Sequence, residues 1–495
     1  MTILLKKKRQ YFGTDGVRGH VGDHPMTPEF VNRLGFAAGK VLSRTVSHPT
    51  FLIGRDTRQS GQMLQSALTS GLLASGATVI DLGVIPTPGV AFMVRKLSAD
   101  AGVVISASHN PVNENGIKFF DAKAAKLDEA VELEIEALID APMDLSGRSA
   151  AQLGRQVDGV GLRELYVDDL VDEHPANCLD SLKLVLDCAN GAASWYASQV
   201  FSRLGAEAVV VHASPTGSNI NVRAGSEHVR RFPQDLTTLI QQFNANFGVV
   251  FDGDADRVIF VDEVGKLVDG DHMLAILADY FRGQDQLLGH TVVSTTMRNG
   301  SLVRYFADRD ITFIETPVGD KYVMAELQTL MQEHKGAGLI GLGGEQSGHI
   351  ILMDGKHNTG DGLRSAIYLI RAFLASDRKT LTALAESIHK YPQVIASAVV
   401  AEKIDLNQLD SVKKAREELE RSLPGLTRIN LRYSGTEPKV RLMLEADNRH
   451  SESELARKAF VLCETVQAAT GTPEGSPLEV LNVTSGGLVD RPSSF

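Results

Sequence analysis

A hydroxyl-rich segment, SASHN, directly follows the apolar run AGVVI and places Ser106, Ser108 and His109 beyond its end. The apolar run predicts a buried strand. A hydroxyl at the carboxyl end of such a strand is held in place and faces the crevice where α/β proteins bind ligands. Pro111 restricts Asn110 to extended geometry, which stiffens the loop. We therefore interpret Ser108 as a serine presented for reaction.

A second group of reactive side chains, Asp252, Asp254 and Asp256, follows the apolar run FGVVF. Three carboxylates at this spacing repel one another in a cleft unless a cation neutralises them, and hard oxygen ligands suit Mg²⁺. A calcium loop is disfavoured because Arg257 stands at the sixth position, where the sharp turn needs glycine. A solvated acidic loop is the remaining alternative. The pattern favours a site for one magnesium ion.

The serine and the carboxylates together suit phosphoryl transfer. A serine hydroxyl at its free pKa is a weak nucleophile. Phosphoryl transfer needs positioning and neutralisation of the phosphate oxygens, and a metal supplies the second. If Ser108 carries a phosphate, that phosphate becomes the fourth metal ligand and the group to be transferred. We therefore expect the two loops to meet across one shared cation.

The composition is that of an ordinary globular protein. Its 495 residues exceed one core and suggest three or four domains, with 43% hydrophobic and 22% charged residues. The net charge of −11 disfavours a nucleic acid or an anionic membrane as partner, but not a small phosphorylated ligand. Three scattered cysteines form neither a disulfide framework nor a zinc site. With no signal peptide and no apolar membrane span, we expect a cytoplasmic protein.

A pattern of strand, polar loop, helix and strand occurs three times, beginning at FLIGRD, LKLVLDCANG and TVVSTTMRNG. This alternation is typical of mostly parallel sheets. We predict three related mixed or parallel α/β domains and a smaller C-terminal α+β domain around a central cleft, followed by a disordered or surface-lying tail. The predicted boundaries are 1–158, 159–265, 266–385, 386–470 and, for the Gly-, Pro- and Ser-rich tail, 471–495.

Two further loops offer polar groups to a ligand. GLGGEQSGHI lacks the lysine that a nucleotide-binding P-loop needs after its last glycine, and its polar groups suit sugar hydroxyls. The groups are those of Glu345, Gln346, Ser347 and His349. LRYSGTEPKVRLM combines hydroxyls, backbone N–H groups at a glycine turn and two arginines, which form an anion cradle; a surface turn is the alternative. Its members are Arg432, Ser434, Gly435, Thr436 and Arg441.

The segments SASHNP, DGDADR, GEQSGH and RYSGTEP occur in the order seen in the phosphohexose mutases, and the chain resembles this family from Tyr11 to about Ala469. The resemblance implies that Ser108 is the phosphoserine and that the three aspartates bind Mg²⁺. It implies that Glu345 and Ser347 hold the sugar ring, and that the last loop grips the phosphate that is not reacting.

The resemblance also implies roles for residues around the serine. The catalytic candidates beside Ser108 are His109, Lys118, Arg18 and Arg257. Lys118 or Arg18 would serve as general acid or base, or would orient the attacking hydroxyl. Arg257 would lie beside the transferring phosphoryl group. The segment GRDTR, which ends at Arg58, is expected to be mainly structural.

By the same resemblance, the protein is an isomerase that moves a phosphate between the 6- and 1-positions of a hexosamine through a sugar bisphosphate, which also serves as activator. Gln346 favours the glucosamine-type members. Ala255 replaces their usual glycine, and the metal site is expected to survive unless this position needs positive φ. Tyr433 replaces their usual proline. A phosphomannomutase/phosphoglucomutase and a non-catalytic phosphosugar-binding protein remain as alternatives, and a homodimer is considered.

Overall fold

The computed structural model describes residues 9–491 with gaps at 14, 45, 146–148, 335, 337 and 435–437. Within this part, the strands form four sheets that follow one another along the chain. We call the units around these sheets domains 1 to 4. Among the described residues, none of the helices combines the length and the apolar character that crossing a membrane requires.

Domain 1 is built on a mixed six-stranded sheet. Its strands are β1 (Val17–His20), β2 (Thr50–Arg55), β3 (Thr78–Val84), β4 (Ala101–Ile105), β5 (Glu114–Asp121) and β6 (Gln156–Asp158). Its helices are α1 (Pro28–Leu42), α2 (Ser60–Ser75), α3 (Thr87–Lys96) and α4 (Glu129–Ile139). The strand order is β1-β5-β4-β2-β3-β6, with β5 antiparallel to both neighbours. Every residue of β4 is buried, as expected for a strand covered on both faces.

Domain 2 contains a five-stranded sheet with the order β11-β10-β9-β7-β8. The strands are β7 (Lys183–Asp187), β8 (Glu207–Val211), β9 (Phe247–Phe251), β10 (Val258–Val261) and β11 (Leu267–Val268). The helices are α5 (Glu164–Asp172), α6 (Ala193–Arg203), α7 (Ser226–Arg231) and α8 (Pro233–Gln242). Because β11 pairs with β10, the second sheet continues past the boundary predicted at residue 265.

Domain 3 has the strand order β13-β12-β14-β15, with only the edge strand β15 antiparallel to its neighbour. Its strands are β12 (Leu287–Thr295), β13 (Thr312–Thr316), β14 (Ile340–Gly344) and β15 (Ile350–Met353). Its helices are α9 (Gly270–Arg282), α10 (Ser301–Ala307), α11 (Asp320–Glu333), α12 (Gly362–Ala375) and α13 (Leu381–Ala385). The prediction of a mostly parallel sheet flanked by helices is confirmed here.

Domain 4 is an antiparallel sheet with the order β17-β18-β16-β19-β20. Its strands are β16 (Gln393–Val399), β17 (Leu426–Tyr433), β18 (Lys439–Ala446), β19 (Leu478–Asn482) and β20 (Leu488–Val489). Its helices are α14 (Asp410–Ser422) and α15 (Glu452–Ala469). The predicted α+β architecture is confirmed.

The prediction of a tail over 471–495 is wrong for the segment that contains β19 and β20. β19 pairs with β16 from Val394 opposite Asn482 to Ala398 opposite Leu478, and the side chain of Val480 is fully buried. The partner strand lies some 80 residues earlier in the chain, so the local composition of glycine, proline and serine gave no sign of the pairing. Among the described residues of this segment, glycine, proline and serine form the turns around β19 and β20.

The apolar cores show how tightly the domains are joined. One continuous cluster of buried residues extends through domains 1, 2 and 3, for example from Phe92 through Phe247 to Phe281. The buried core of domain 4, which includes Phe460, is a separate cluster. Domain 4 is therefore attached to the rest mainly by polar contacts, which set its position relative to domain 3.

Candidate active site

The serine of domain 1 and the carboxylates of domain 2 meet at the boundary between their sheets. Ser108, beyond β4, donates its hydroxyl to Oδ2 of Asp252, beyond β9, at 2.5 Å across 144 residues of sequence. Gly253 allows this approach, because a Cβ atom there would lie 2.4 Å from the carbonyl oxygen of Ser108. The two loops singled out by their chemistry thus lie in direct contact.

The buried guanidinium of Arg58 determines the shape of the serine loop. Arg58 is 1% exposed and donates to the carbonyl oxygens of Ser108 at 2.9 Å and Asn110 at 2.7 Å. Asp56 balances the charge at 2.9 Å and accepts the hydroxyl of Ser106 at 2.6 Å. These contacts hold Ser108 at φ 52°, a left-handed conformation that costs an ordinary residue about 1 kcal/mol.

The three aspartates form a buried group whose donor atoms lie within 4.8 Å of one another. Oδ1 of Asp254 and Oδ1 of Asp256 have no hydrogen-bond partner among the described residues. Burial and the carboxylates of Asp256 and Asp254 raise the pKa of Asp252 well above its ordinary value. Buried carboxylate oxygens without partners are costly unless a cation binds them, so this donor set fits Mg²⁺.

Ala255 lies at the bend of the aspartate loop with φ 56°. The position therefore does need positive φ, which is the left-handed region that favours glycine and the condition under which alanine was expected to disturb the metal site. The bend is nevertheless formed. The N–H of Ala255 donates to the carbonyl of Asp252 at 3.2 Å, and its own carbonyl accepts from the N–H of Gly362 at 2.9 Å. The loop keeps its shape at a cost of about 1 kcal/mol.

Lys118 is buried among carboxylates. Its Nζ lies 2.9 Å from Asp254, 3.1 Å from Asp15 and 3.8 Å from Asp256. Burial alone would lower the pKa of this ammonium, but the carboxylates of Asp15 and Asp254 outweigh burial and raise the pKa. Of the predicted roles, that of a general base is therefore disfavoured, because the group stays protonated. An ammonium here can donate a proton or balance charge.

Arg257 and His109 lie next to Ser108. Nη1 of Arg257 donates to Nδ1 of His109 at 3.2 Å, and this nitrogen lies 3.4 Å from the Ser108 hydroxyl. Burial and the Arg257 guanidinium lower the pKa of His109 to about 4. The imidazole is therefore neutral near pH 7. It serves as an acceptor that orients Arg257 toward the serine.

Arg18 lies on the same side of the site, on β1. Its guanidinium forms an ion pair with Asp15. Its buried Nε has no hydrogen-bond partner among the described residues. Asp15 also accepts from Lys126 at 2.7 Å, and Lys126 contacts Asp320 of domain 3 at 2.6 Å. The sequence reasoning missed this charged chain between domains 1 and 3. The segments GTDG and VGDK, which contain its two aspartates, were the only signals for it.

The loop 345–349 between β14 and β15 is called the sugar-binding loop below. Oε1 of Glu345 accepts from the N–H of Gly319 at 3.2 Å. The buried hydroxyl of Ser347 has no partner among the described residues, which leaves it available to a ligand. His349, which is predicted to bind substrate, is buried between Asp256 at 3.6 Å and Asp320 at 3.5 Å, where it supports the metal loop. Its contact with substrate stays a prediction.

Gln346, which suggested an amino sugar, has its side chain turned away from Glu345 and Ser347. The residue is 4% exposed, and its Nε2 donates to Asp271 at 2.7 Å and to Gln393 at 2.8 Å. Both donors of the amide are thereby used within the protein. The amide is therefore not one of the polar groups offered to sugar hydroxyls, and Gln346 favours a glucosamine-type member by its identity and not by a contact with the sugar.

The predicted anion cradle lies in domain 4. Arg432 on β17 stands opposite Arg441 on β18. Burial and the charge of Arg441 lower the pKa of Arg432. Ser434 is buried, and its carbonyl accepts from Nζ of Lys403 at 2.7 Å. Gly435 and Thr436 lie outside the described residues. Two neighbouring guanidinium groups repel each other unless an anion lies between them, so the pair suits a phosphate.

Comparisons with known proteins agree with this arrangement. Family profiles described as phosphoglucomutase/phosphomannomutase α/β/α domains I, II and III and C-terminal domain match residues 9–145, 164–265, 269–391 and 395–460. A phosphoglucomutase/phosphomannomutase family protein from Burkholderia thailandensis has a TM-score of 0.72 at 23% identity, covering 95% of this chain and 99% of that chain. Four such domains in this order define a phosphohexose mutase.

Relatives in sequence narrow the assignment. A phosphoglucosamine mutase from Methylobacillus flagellatus is 44% identical over 93% of this chain and 100% of its own length. The phosphoglucosamine mutase from Geobacillus kaustophilus is 42% identical over 91% of this chain and 96% of its own length. The chain belongs to the phosphohexose mutase family, and within it to the phosphoglucosamine mutases. The resemblance seen in its motifs is confirmed.

Proposed function

We propose that this protein interconverts glucosamine 6-phosphate and glucosamine 1-phosphate through a phosphoserine at Ser108 and a bisphosphate intermediate. The observation that carries the proposal is the 2.5 Å contact between the Ser108 hydroxyl and Asp252. This contact supports Ser108 as the group to be phosphorylated, because the carboxylates beside it suit a magnesium ion. The names of the relatives supply the amino sugar.

The first half of the reaction transfers the phosphoryl group from Ser108 to the free hydroxyl of the sugar phosphate. The bond from phosphorus to the serine oxygen breaks, and a bond to the sugar oxygen forms. Asp252, Asp254 and Asp256 would hold one Mg²⁺ ion, which when bound would neutralise charge on the phosphate oxygens. Arg257 adds a second positive charge beside the serine. The sugar hydroxyl gives up one proton as its oxygen bonds to phosphorus, and the released serine oxygen takes up one proton, so its restored O–H can again donate to Asp252.

The second half requires the bisphosphate to reverse its orientation and return its other phosphate to Ser108. Arg432 and Arg441 then hold whichever phosphate is not reacting. Glu345 and Ser347 bind sugar hydroxyls in both orientations, since each presents an oxygen that accepts or donates. Enclosure between domains 1 and 4 keeps water from hydrolysing the phosphoserine.

The proposal includes a cytoplasmic enzyme with one magnesium ion per chain, activated by a sugar bisphosphate. Structural neighbours support the ligand class. An Aspergillus fumigatus N-acetylphosphoglucosamine mutase, described in complex with GlcNAc-6P and magnesium, has a TM-score of 0.62 at 18% identity and covers 94% of this chain and 96% of that chain. Assembly into a homodimer stays a prediction.

The deciding experiment compares turnover of glucosamine 6-phosphate, mannose 6-phosphate and glucose 6-phosphate, each with Mg²⁺ and glucose 1,6-bisphosphate. We expect the amino sugar to give the highest kcat/KM. Equal or higher values for the neutral sugars would instead support a phosphomannomutase/phosphoglucomutase. If the chain only binds phosphosugars, no phosphate appears on Ser108 by intact-mass measurement after incubation with the bisphosphate.

A further inference from the structure

A single buried side chain joins the sugar-binding loop to domain 4. In the loop, Glu345 and Ser347 flank Gln346, which points into the protein. Its amide nitrogen donates one hydrogen bond to Asp271 of domain 3 and the other to Gln393, the first residue of β16. Gln393 is itself completely buried. The loop that faces the sugar is thus bonded to the strand where domain 4 begins.

The hydrogen bonds continue from Gln393 into the sheet of domain 4. Nε2 of Gln393 donates to Oε2 of Glu445 at 3.2 Å, and the N–H of Gly300 in domain 3 donates to the same oxygen at 2.9 Å. Arg428 on β17 also contacts Glu445 at 2.8 Å and donates to the carbonyl of Thr296 at 2.8 Å. This chain ends on the strand that carries Arg432, the proposed phosphate ligand.

The position of domain 4 depends strongly on such contacts, because its apolar core is separate from that of the other domains. Buried polar groups tolerate little displacement, since each loses a partner when the geometry changes. A shift of domain 4 that moves Gln393 therefore acts on Gln346, and through it on Glu345 and Ser347.

We propose that Gln346 is a positioning residue that aligns the sugar-binding loop with the phosphate-binding arginines of domain 4. The proposal rests on the proposed function for the identity of the ligands. The hydrogen bond that joins Gln346 to Gln393 is a property of the free protein. The proposal gives a structural role to the glutamine by which the sequence resembles the glucosamine-type members. The amide has the two donors that a link between Asp271 and Gln393 requires.

The first test is Gln346→Met, which keeps the length of the side chain and removes both donors. We expect kcat/KM to fall by about tenfold, the scale of one buried polar group left unpaired. The loss should be equal for the glucosamine, mannose and glucose phosphates, because the side chain does not face the sugar. A changed ratio between these substrates would overturn the proposal in favour of direct recognition.

The matched control is Gln65→Met. Gln65 is also buried and accepts a hydrogen bond from Arg55 at 3.0 Å, but it lies on α2 of domain 1. We expect this variant to keep the wild-type kcat/KM. An equal loss in both variants would show that any buried glutamine has this effect, and the proposal would fail.

The second test is a double-mutant cycle with Gln393→Met. If Gln346 acts through Gln393, the double variant loses no more activity than the more impaired single variant. Losses that multiply would mean that the two residues act independently, which contradicts the proposal. A thermal unfolding curve for each variant establishes that the compared proteins are folded.

The third test measures amide hydrogen exchange in the absence of substrate. Gln393→Met, a change in domain 4, should increase exchange in the peptide that contains residues 345–349, and Gln346→Met should increase it around 391–394. Unchanged exchange in both peptides would overturn the proposal. This readout does not depend on turnover. An inactive wild-type protein would therefore refute the proposed function, whereas the link between Gln346 and Gln393 would still be tested by amide hydrogen exchange.

Discussion

The hydroxyl of Ser108 and Oδ2 of Asp252 are 2.5 Å apart, and they belong to different domains. The serine loop comes from domain 1 and is shaped there by Arg58, whereas the carboxylate loop follows β9 of domain 2. Ser108 reaches this group of carboxylates only across the boundary between domains 1 and 2. The proposed chemistry therefore depends on the junction between the two sheets.

Replacement of the serine tests the proposed phosphoenzyme. Ser108→Ala should lower mutase turnover by about 10³-fold or more, because the group that carries the phosphoryl is removed. A coupled assay measures the loss, and intact-mass measurement should show no phosphate. Ser66→Ala, at an exposed position on α2, is the control and should keep full activity. Turnover of Ser108→Ala within tenfold of wild type contradicts the proposal.

Removal of divalent ions tests the carboxylate group. Chelation with EDTA should abolish turnover, and added Mg²⁺ should restore it, because three buried carboxylates need a cation. Asp254→Asn should require at least about tenfold more Mg²⁺ for half-maximal activity, since one charged ligand is lost. The exposed Asp285→Asn should leave the requirement unchanged. An unchanged Mg²⁺ requirement in Asp254→Asn would show that Asp254 is not a ligand.

Arg58→Met should destabilise domain 1 by about 3–5 kcal/mol, because Asp56 is left as an unpaired buried charge. Thermal unfolding measures the effect. Arg44→Met removes a surface ion pair with Glu134, whose side chains are 56% and 46% exposed, and should change stability by at most about 1 kcal/mol. If the two variants unfold at the same temperature, Arg58 does not support the serine loop in the way described.

The pH dependence of stability should include a contribution from His174. Burial and the guanidinium of Arg371 lower the pKa of this histidine to about 3. Below pH about 6.5 the unfolded chain binds a proton that the folded chain excludes, so folding weakens as the pH falls, by up to about 1.4 kcal/mol per pH unit. This stability is fully present above pH about 6.5.

The measurement compares thermal unfolding between pH 7.5 and 5.5. His174→Gln cannot be protonated and should lose less stability on acidification than wild type. The exposed His48→Gln should follow the wild-type curve. Parallel curves for wild type and His174→Gln would contradict the prediction.

The segment first interpreted as a tail should be required for the stability of domain 4. Val480→Asp places an unpaired carboxylate in the sheet and should destabilise the domain by about 3 kcal/mol or more. Val461→Asp, on α15 of the same domain and 43% exposed, should change stability by less than about 0.5 kcal/mol. Urea unfolding of domain 4 measures both. Equal urea midpoints for Val480→Asp and Val461→Asp would mean that β19 contributes nothing to the stability of domain 4.

The elements that the sequence predicts well are those with local signals. The run AGVVI before Ser108 and FGVVF before Asp252 are continuous apolar segments that end abruptly in polar residues, and both are buried strands. Each run ends where α/β proteins bind ligands, and the expectation that the two loops meet came from the chemistry of a shared cation, because the strands belong to different sheets. The four-domain architecture could also be predicted, because the repeated pattern of strand, loop and helix is a local signal.

The features that escaped prediction depend on long-range contacts. The direction of the Gln346 side chain is set by Asp271 and Gln393, and nothing within the loop itself indicates it. The strand around Val480 could not be predicted from its own residues, because it forms by pairing with the edge of β16. Likewise, the hydrogen bonds from the Arg58 guanidinium to the carbonyls of Ser108 and Asn110 depend on a loop about 50 residues away.

The hydrogen bonds from Arg58 to the serine loop have a consequence for biosynthesis. Arg58 precedes Ser108 by 50 residues, whereas Asp252 follows it by 144. As the chain emerges from the ribosome, domain 1 can fold around the arginine before the acidic loop has been translated. The nascent serine loop then has its hydrogen bonds from Arg58 but lacks Asp252 and the amide of Asn221, which donates to the carbonyl of Ser108 at 2.8 Å. In the proposed mechanism, Ser108 thus gains the carboxylates that complete its site only when domain 2 has been translated.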